Sequence, residues 1–371
     1  MNRSVIILMV AVILITGCRG DDRRRPGTDP VEQPAWIVGA DISLLTRMLS
    51  AGAVYKDSDG RDIEVMSYFR QKGFNYVRLR LFVNPDLRSY ACQDLPYVQD
   101  MILKAKEKGY NVLLNFHYSD TWADPGKQYK PALWSGLNAD ALAVKIYSYT
   151  RETLLALVKN GAVPEMIQIG NEITNGMLWD SARADVWSQE WNTTGRWIYF
   201  SKILSQASKA CREICPDSWI MVHIDCGGDR ETALRFFSRM EQYHVDYDII
   251  GLSYYPFWHG PLSDLRSCLS GLQMNFPGKK INLVEVAYPN HQWGIPDNAS
   301  YTPDYPATPQ GQAAFMEDFI DTLREFSAVN GFMYWYPEET YVPAGNSLTL
   351  HRGVFDIATG NALQVINVFG H

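Results

Sequence analysis

No apolar run in this sequence is long enough to cross a bilayer. The longest, Val5 to Ile15, has eleven residues where a spanning helix needs about 20. Basic charge is thin and scattered: the formal net charge is −7 and Lys and Arg form no stripe, which argues against a nucleic-acid partner. Cofactor fingerprints are missing too, with neither a glycine-rich dinucleotide turn nor a P-loop in the chain. Once Cys18 is set aside, Cys92, Cys211, Cys215, Cys226 and Cys268 remain, an odd set without CxxC. Cys211 and Cys215 stand four residues apart on an expected helix, where a disulfide is geometrically marginal, so free and mostly buried thiols are the expectation. No HxH marks an expected strand end, which argues against catalytic zinc. These absences leave chemistry carried by ordinary side chains, with no required cofactor.

What is present starts at the N-terminus. Arg3 precedes the apolar run and Ile15-Thr16-Gly17-Cys18 follows it. The pattern is similar to a bacterial lipoprotein signal, residues 1–18, with Cys18 as the acylated residue. Arg19 to Pro34 is polar and Pro-rich and reads as a flexible tether over residues 19–34. The expectation is an exported protein, lipid-anchored to the bacterial outer membrane or cell surface, that touches membrane through the anchor alone.

From residue 35 to 371 the pattern changes. Eight short apolar runs recur: 36–42, 76–82, 111–116, 166–171, 219–224, 248–253, 281–286 and 331–336. Continuous apolar runs without clean alternation are what parallel strands buried on both faces look like. Between them, Ile63, Met66 and Phe69 share a helix face before Gly73, and Ile102 and Ala105 precede Gly109, each glycine standing where a helix ends. Thr308-Pro309 opens another amphipathic stretch through Phe315, Phe319 and Leu323. Strand and helix alternating eight times give an α/β fold of one domain, a single (β/α)8 TIM barrel. The longer loops follow runs three, four, seven and eight, on the side where a barrel builds its cleft.

Two of these runs stop on a carboxylate. Glu172 ends the fourth, in IQIGNE, and Glu285 ends the seventh, in INLVEV. Strand ends four and seven lie nearly across a barrel from each other, so both side chains can reach one cleft, as hydrolysis of a sugar bond by two carboxylates requires. A salt bridge to a neighbouring base is the blander reading of a single strand-end Glu, but it does not explain the pair. A nucleophile needs donors that keep it ionised, and Arg78 or Arg80 and Tyr254 or Tyr255 are available. Asn171 suits a sugar 2-hydroxyl. His117 reads either as a loop pin or as a hydrogen-bond partner in the cleft. Trp122, Trp134, Trp179, Trp258, Trp293 and Trp335 all fall at expected strand-end loops, and such a set reads as a rim on which sugar rings stack.

These residues also carry a family resemblance. GADIS (39–43), VRLRLF (77–82), NFHYSDTWADPGKQYKPALW (115–134), IQIGNE (167–172), GLSYYPFWHG (251–260) and YPATPQGQ (305–312) together resemble the endo-β-1,4-galactanases of glycoside hydrolase family 53. The likeness runs from Gly39 to FDIATGNAL at 355–363, nearly the whole expected body. It implies a retaining endo-hydrolase of β-1,4-galactan, the side chain of type I arabinogalactan and pectin, with Glu172 as acid/base and Glu285 as nucleophile. It also implies cleft positions for Asp41, His117 and Asn171 and an aromatic floor at Trp335. One departure is VEVAYP, where relatives often carry a polar residue after the Glu. Some relatives hold a structural calcium; Asp297, Asn298 and Asp304 offer oxygens here without a recognisable loop spacing, so calcium stays open.

The expected site is therefore Glu172 and Glu285 with Asp41, Arg80, His117, Trp122, Asn171, Tyr254, Tyr255, Trp258 and Trp335 binding substrate. The expected partner is a galactan or arabinogalactan polysaccharide, met by a monomer. Two rivals stand beside this reading: another retaining barrel hydrolase, such as a mannanase or xylanase, and a surface glycan-binding protein without catalysis.

Overall fold

Eight segments dominated by Ile, Val, Leu and aromatic residues are extended and buried along nearly their whole length. They are β1 Ile37–Asp41, β2 Tyr76–Leu81, β3 Asn111–Phe116, β4 Met166–Ile169, β5 Trp219–Ile224, β6 Ile249–Tyr254, β7 Lys280–Val286 and β8 Val329–Trp335. All neighbours pair in parallel and β1 joins β8, so the sheet closes into the expected barrel. Each strand lies within two residues of an apolar run read from the sequence. The structure is a computed structural model that describes residues 33–343 and 348–370. The expected signal segment, Cys18 and most of the tether lie outside the described residues.

Helices return the chain from the top of each strand to the bottom of the next: α1 Leu45–Ser50, α2 Val65–Gln71, α3 Leu95–Glu107, α4 Ala139–Lys159, α5 Thr194–Ile214, α6 Arg230–Gln242, α7 Pro256–His259, α8 Leu262–Asn275 and α9 Pro309–Arg324. Their starts are chemically marked: Asp94, Asn138, Thr193, Asp229 and Thr308 each accept a first-turn backbone N–H. Gly73 and Gly109 follow α2 and α3 with positive φ, as expected of helix ends. The eightfold pattern breaks once. Among the described residues β8 is followed by no α-helix, only a 3-10 turn at Gln364–Asn367. Phe369 beyond it packs on Phe74, Phe332 and Tyr334, covering apolar surface that a final helix would otherwise bury.

The barrel interior has two contrasting levels. At the bottom every strand contributes one side chain to a dry plug of Ile37, Tyr76, Leu113, Met166, Met221, Ile249, Val284 and Met333. Two residues further along, on the same inward parity, stand Arg78, Asn115, Gln168 and His223. Strand β7 departs from that parity. Gly251 and Ser253 of β6 pair with Asn282 and Glu285, and Phe332 and Tyr334 of β8 pair with Leu283 and Val286, so β7 carries an extra residue against both neighbours. Regular alternation from Val284 would aim Glu285 outward. The bulge turns it into the cleft.

The five cysteines among the described residues are free and buried.

Candidate active site

Gly170, at φ +98°, ends β4 with a turn that no larger residue could make, because a β-carbon would lie 2.8 Å from Ile173 Cγ2. Asn171 and Glu172 follow it into the cleft, Glu172 in the left-handed region at φ +47°. A carboxyl oxygen of Glu172, one of Glu285 and a ring nitrogen of His223 then all lie within 4.8 Å of one another. That spacing suits a retaining pair, at about 5 to 5.5 Å, and is too short for an inverting one, at about 6.5 to 9.5 Å.

The two carboxyl groups have opposite surroundings. Glu285 Oε1 sits 2.8 Å from Arg78 Nη1, and Oε2 accepts the Tyr255 hydroxyl at 2.9 Å. Arg78 is wholly buried and every edge is used: Nη1 also reaches Asp41 Oδ2 at 2.8 Å, Nη2 donates to Asn171 Oδ1 at 2.7 Å, and Nε donates to Gln168 Oε1 at 3.2 Å. Deleting one partner from such a buried pair costs about 3–5 kcal/mol, because a charge is stranded. Among the described residues no cation is in hydrogen-bond contact with Glu172. Its Oε1 accepts the Ser253 hydroxyl at 2.6 Å. Burial pushes the Glu172 carboxyl well above its ordinary range, and the charges of Glu285 and Asp225 push the same way. Burial raises the Glu285 carboxyl as well; Arg78 offsets part of that rise, Asp41 adds to it, and the Tyr255 hydroxyl offsets it again. Arg78 and the Tyr255 hydroxyl favour the ionised form of Glu285, so the proton of this coupled pair belongs on Glu172.

The cleft, about 780 Å³, is lined by Arg80, His117, Trp122, Asn171, Tyr255, Trp258 and Trp335 along with the two carboxylates. Asn171 Oδ1 is saturated by Arg78, Gln168 and Asn115, and its amide donates one hydrogen to Ala123 O at 2.8 Å. Among the described residues no acceptor takes its other amide hydrogen. His117 joins both earlier readings: its Nδ1 accepts the Ala123 N–H at 3.1 Å, which pins the loop after β3, while the ring lines the cleft. Burial and the Arg78 and Arg80 charges hold its pKa well below the ordinary value, so the ring is neutral.

Three expectations need correction. Asp41 is fully buried beneath the floor, where it accepts from Ser43, Arg78 and Arg80 and touches no cleft surface. Tyr254 points away: successive β6 side chains alternate, so Tyr255 enters the cleft while Tyr254 donates to Gly260 O at 2.7 Å and stacks on Phe319. Arg80 borders the cleft as expected, with its guanidinium 4.3 Å from the Trp122 ring. Of the six tryptophans expected on one rim, Trp122, Trp258 and Trp335 line the cleft; Trp134 is buried against Tyr149, and Trp179 and Trp293 lie outside the lining. Asn298 borders the cleft and Asp304 a separate groove, so this set of calcium candidates does not converge.

Sequence reasoning missed Arg78 as the chosen base and overlooked His223, Ser253, Asp225, His259 and Arg352 altogether. Arg78, His223 and Ser253 were signalled by polar residues at inward positions of otherwise apolar strands. Asp225 accepts the Thr174 hydroxyl beside Glu172. Arg352 comes from a loop whose backbone N–H groups, from Leu350 to Gly353, all converge on the buried Glu339 carboxylate, and nothing local predicts that long-range contact.

The family model described as glycosyl hydrolase family 53 matches residues 37–369. A solved family 53 catalytic domain from Ignisphaera aggregans superposes with a TM-score of 0.79 at 32% identity, covering 92% of this chain and 98% of that one. A solved fungal β-1,4-galactanase gives a TM-score of 0.77 at 30% identity, covering 90% and 98%. The endo-β-1,4-galactanase of Bacillus subtilis is 30% identical over 333 residues, 85% of this chain and 73% of that protein.

Proposed function

Since the chain belongs to glycosyl hydrolase family 53, we propose that it is an endo-acting, retaining hydrolase of β-1,4-linked galactan and type I arabinogalactan. One observation carries the mechanism: two carboxyl groups within 4.8 Å, one tied to Arg78 and Tyr255 and the other, among the described residues, without a contacting cation. Glu285 attacks the anomeric carbon while Glu172 protonates the departing glycosidic oxygen. Water, deprotonated by Glu172, then releases the sugar from Glu285. Asn171 donates to the 2-hydroxyl as the oxocarbenium character grows, and Trp335 floors the ring being cleaved.

Neither rival is favoured. The relatives compared above that carry an activity in their names are galactanases. A protein that only captured glycan would have no use for two carboxylates so differently solvated. The test is a product profile on linear β-1,4-galactan beside mannan and xylan. New reducing ends from galactan alone are expected; cleavage of mannan or xylan instead, or binding without new ends, would reject the proposal.

We also propose, from the pattern ending in Cys18, that the protein is lipid-anchored. Cys18→Ser should then move it from the detergent-extracted membrane fraction to the soluble one. Unchanged partitioning would refute the anchor.

A further inference from the structure

We infer that His223 and Ser253 form a fixed hydrogen-bond relay that decides which oxygen of Glu172 carries the catalytic proton. The inference rests on the reading of Glu172 as acid/base. It starts from a donor that cannot change its role: the backbone N–H of Glu172 points at His223 Nδ1 at 3.3 Å. The Gln168 side-chain amide approaches the same nitrogen at 2.9 Å. Nδ1 is therefore an acceptor and the single ring proton resides on Nε2. Nε2 lies 2.9 Å from Ser253 Oγ, so the imidazole donates to the serine. With its oxygen accepting there, Ser253 donates its own hydrogen to Glu172 Oε1 at 2.6 Å.

Every hydrogen in the loop now has a direction. Oε1 receives a donor and cannot also hold a proton toward Ser253, so the acid's proton stands on Oε2. Among the described residues no hydrogen bond reaches Oε2, and Glu172 lines the cleft. The same imidazole grips the backbone N–H of Glu172 and, through Ser253, its carboxyl. The left-handed turn and the carboxyl orientation are thus set by one ring. Glu285, Asp225, Arg78 and Tyr255 supply the other charged and titratable neighbours of Glu172, and none of them hydrogen-bonds its carboxyl.

No proton passes along the relay. In the first step the Oε2 proton moves to the glycosidic oxygen, the C1–O bond breaks with its electron pair on that oxygen, and Glu285 bonds to C1. In the second step Oε2 takes a proton from the attacking water as the Glu285–C1 bond breaks. Ser253 and His223 keep their hydrogens throughout and act as positioning residues.

The test reads kcat/KM, which reports the first step, for wild type, Ser253→Ala, Ser253→Cys and Ser253→Thr. The substrates are linear galactan, phenyl β-galactobioside and 2,4-dinitrophenyl β-galactobioside. The dinitrophenyl leaving group departs without a proton. Ser253→Ala should lose about 10- to 100-fold on galactan and the phenyl substrate and stay near wild type on the dinitrophenyl one. Cys, a weaker donor of similar shape, should fall between, and Thr should restore the hydroxyl and the rate. Equal losses on all three substrates would mean that Ser253 merely packs, and an unchanged Ser253→Ala would mean that the relay does nothing; either overturns the inference. Failure of the underlying reading looks different: wild type itself would not cut galactan, or Glu172→Ala would show no dependence on leaving group.

Discussion

The two levels of the barrel interior are built from the same strands, one to four residues apart, yet they follow different rules. The lower level is an apolar plug with one residue from each strand. The upper level holds Arg78, Asn115, Gln168, His223, Ser253 and Glu285, almost every polar atom paired. Below, shape alone matters and neighbours are exchangeable if volume is kept. Above, each group is fixed by its donor or acceptor, and removing one strands another. Stability should therefore respond to both levels, and chemistry to the upper one alone.

The sharpest challenge to that division is Glu285→Ala, which should lower kcat of the folded enzyme on galactan on the order of 10^5-fold, while the stranded Arg78 costs about 3–5 kcal/mol of stability. Retained turnover in a reducing-end assay would place the nucleophile elsewhere. Next in size, Leu113→Ala in the plug should cost about 2–5 kcal/mol in chemical denaturation, while kcat in the folded state stays within about 2-fold. A large kcat loss without destabilisation would erase the distinction between the levels.

A smaller effect compares adjacent residues. Tyr255→Phe removes the hydroxyl on Glu285 and should lower kcat by about 10-fold, a barrier of about 1.4 kcal/mol, whereas Tyr254→Phe should leave kcat near wild type. Equal effects would contradict the parity of β6.

The smallest prediction concerns pH. Glu338, behind Asp41, is buried with Oε2 unpaired, and burial followed by the Asp41 charge pushes its pKa up to about 8. The native state thus holds a proton that the unfolded state has released above the ordinary carboxylate pKa of 4.5. Stability from this group is full below that value and is lost as pH rises toward about 8. Glu338→Gln should flatten that decline in melting temperature; an unaltered profile would show that Glu338 is not the proton involved.

The contrast between levels also explains how much the sequence discloses. Parallel strands are buried on both faces, so β2, β3 and β5 were legible as apolar runs almost to the residue, and the eight of them implied closure. Polar residues inside such runs are anomalies, and His223 and Ser253 could have been found that way; parity would also have separated Tyr255 from Tyr254. The bulge in β7 was not legible, because it depends on register against two other strands, and a strict alternation would have aimed Glu285 outward. Trp134 looked like a rim residue because its place in the core is set by Tyr149 on α4, a contact with no local signature. The want of a helix after β8 among the described residues is of the same kind: Phe369, 34 residues beyond Trp335, packs on Phe332.

The central claim is that Glu285, aimed inward by that bulge and held by Arg78 and Tyr255, bonds to the sugar. An activated 2-deoxy-2-fluoro galactobioside should trap that bond, and the label should be located by peptide mass spectrometry. Stoichiometric label on the peptide containing Glu285 is the predicted result; label on the Glu172 peptide, or turnover with no covalent intermediate, would contradict the account.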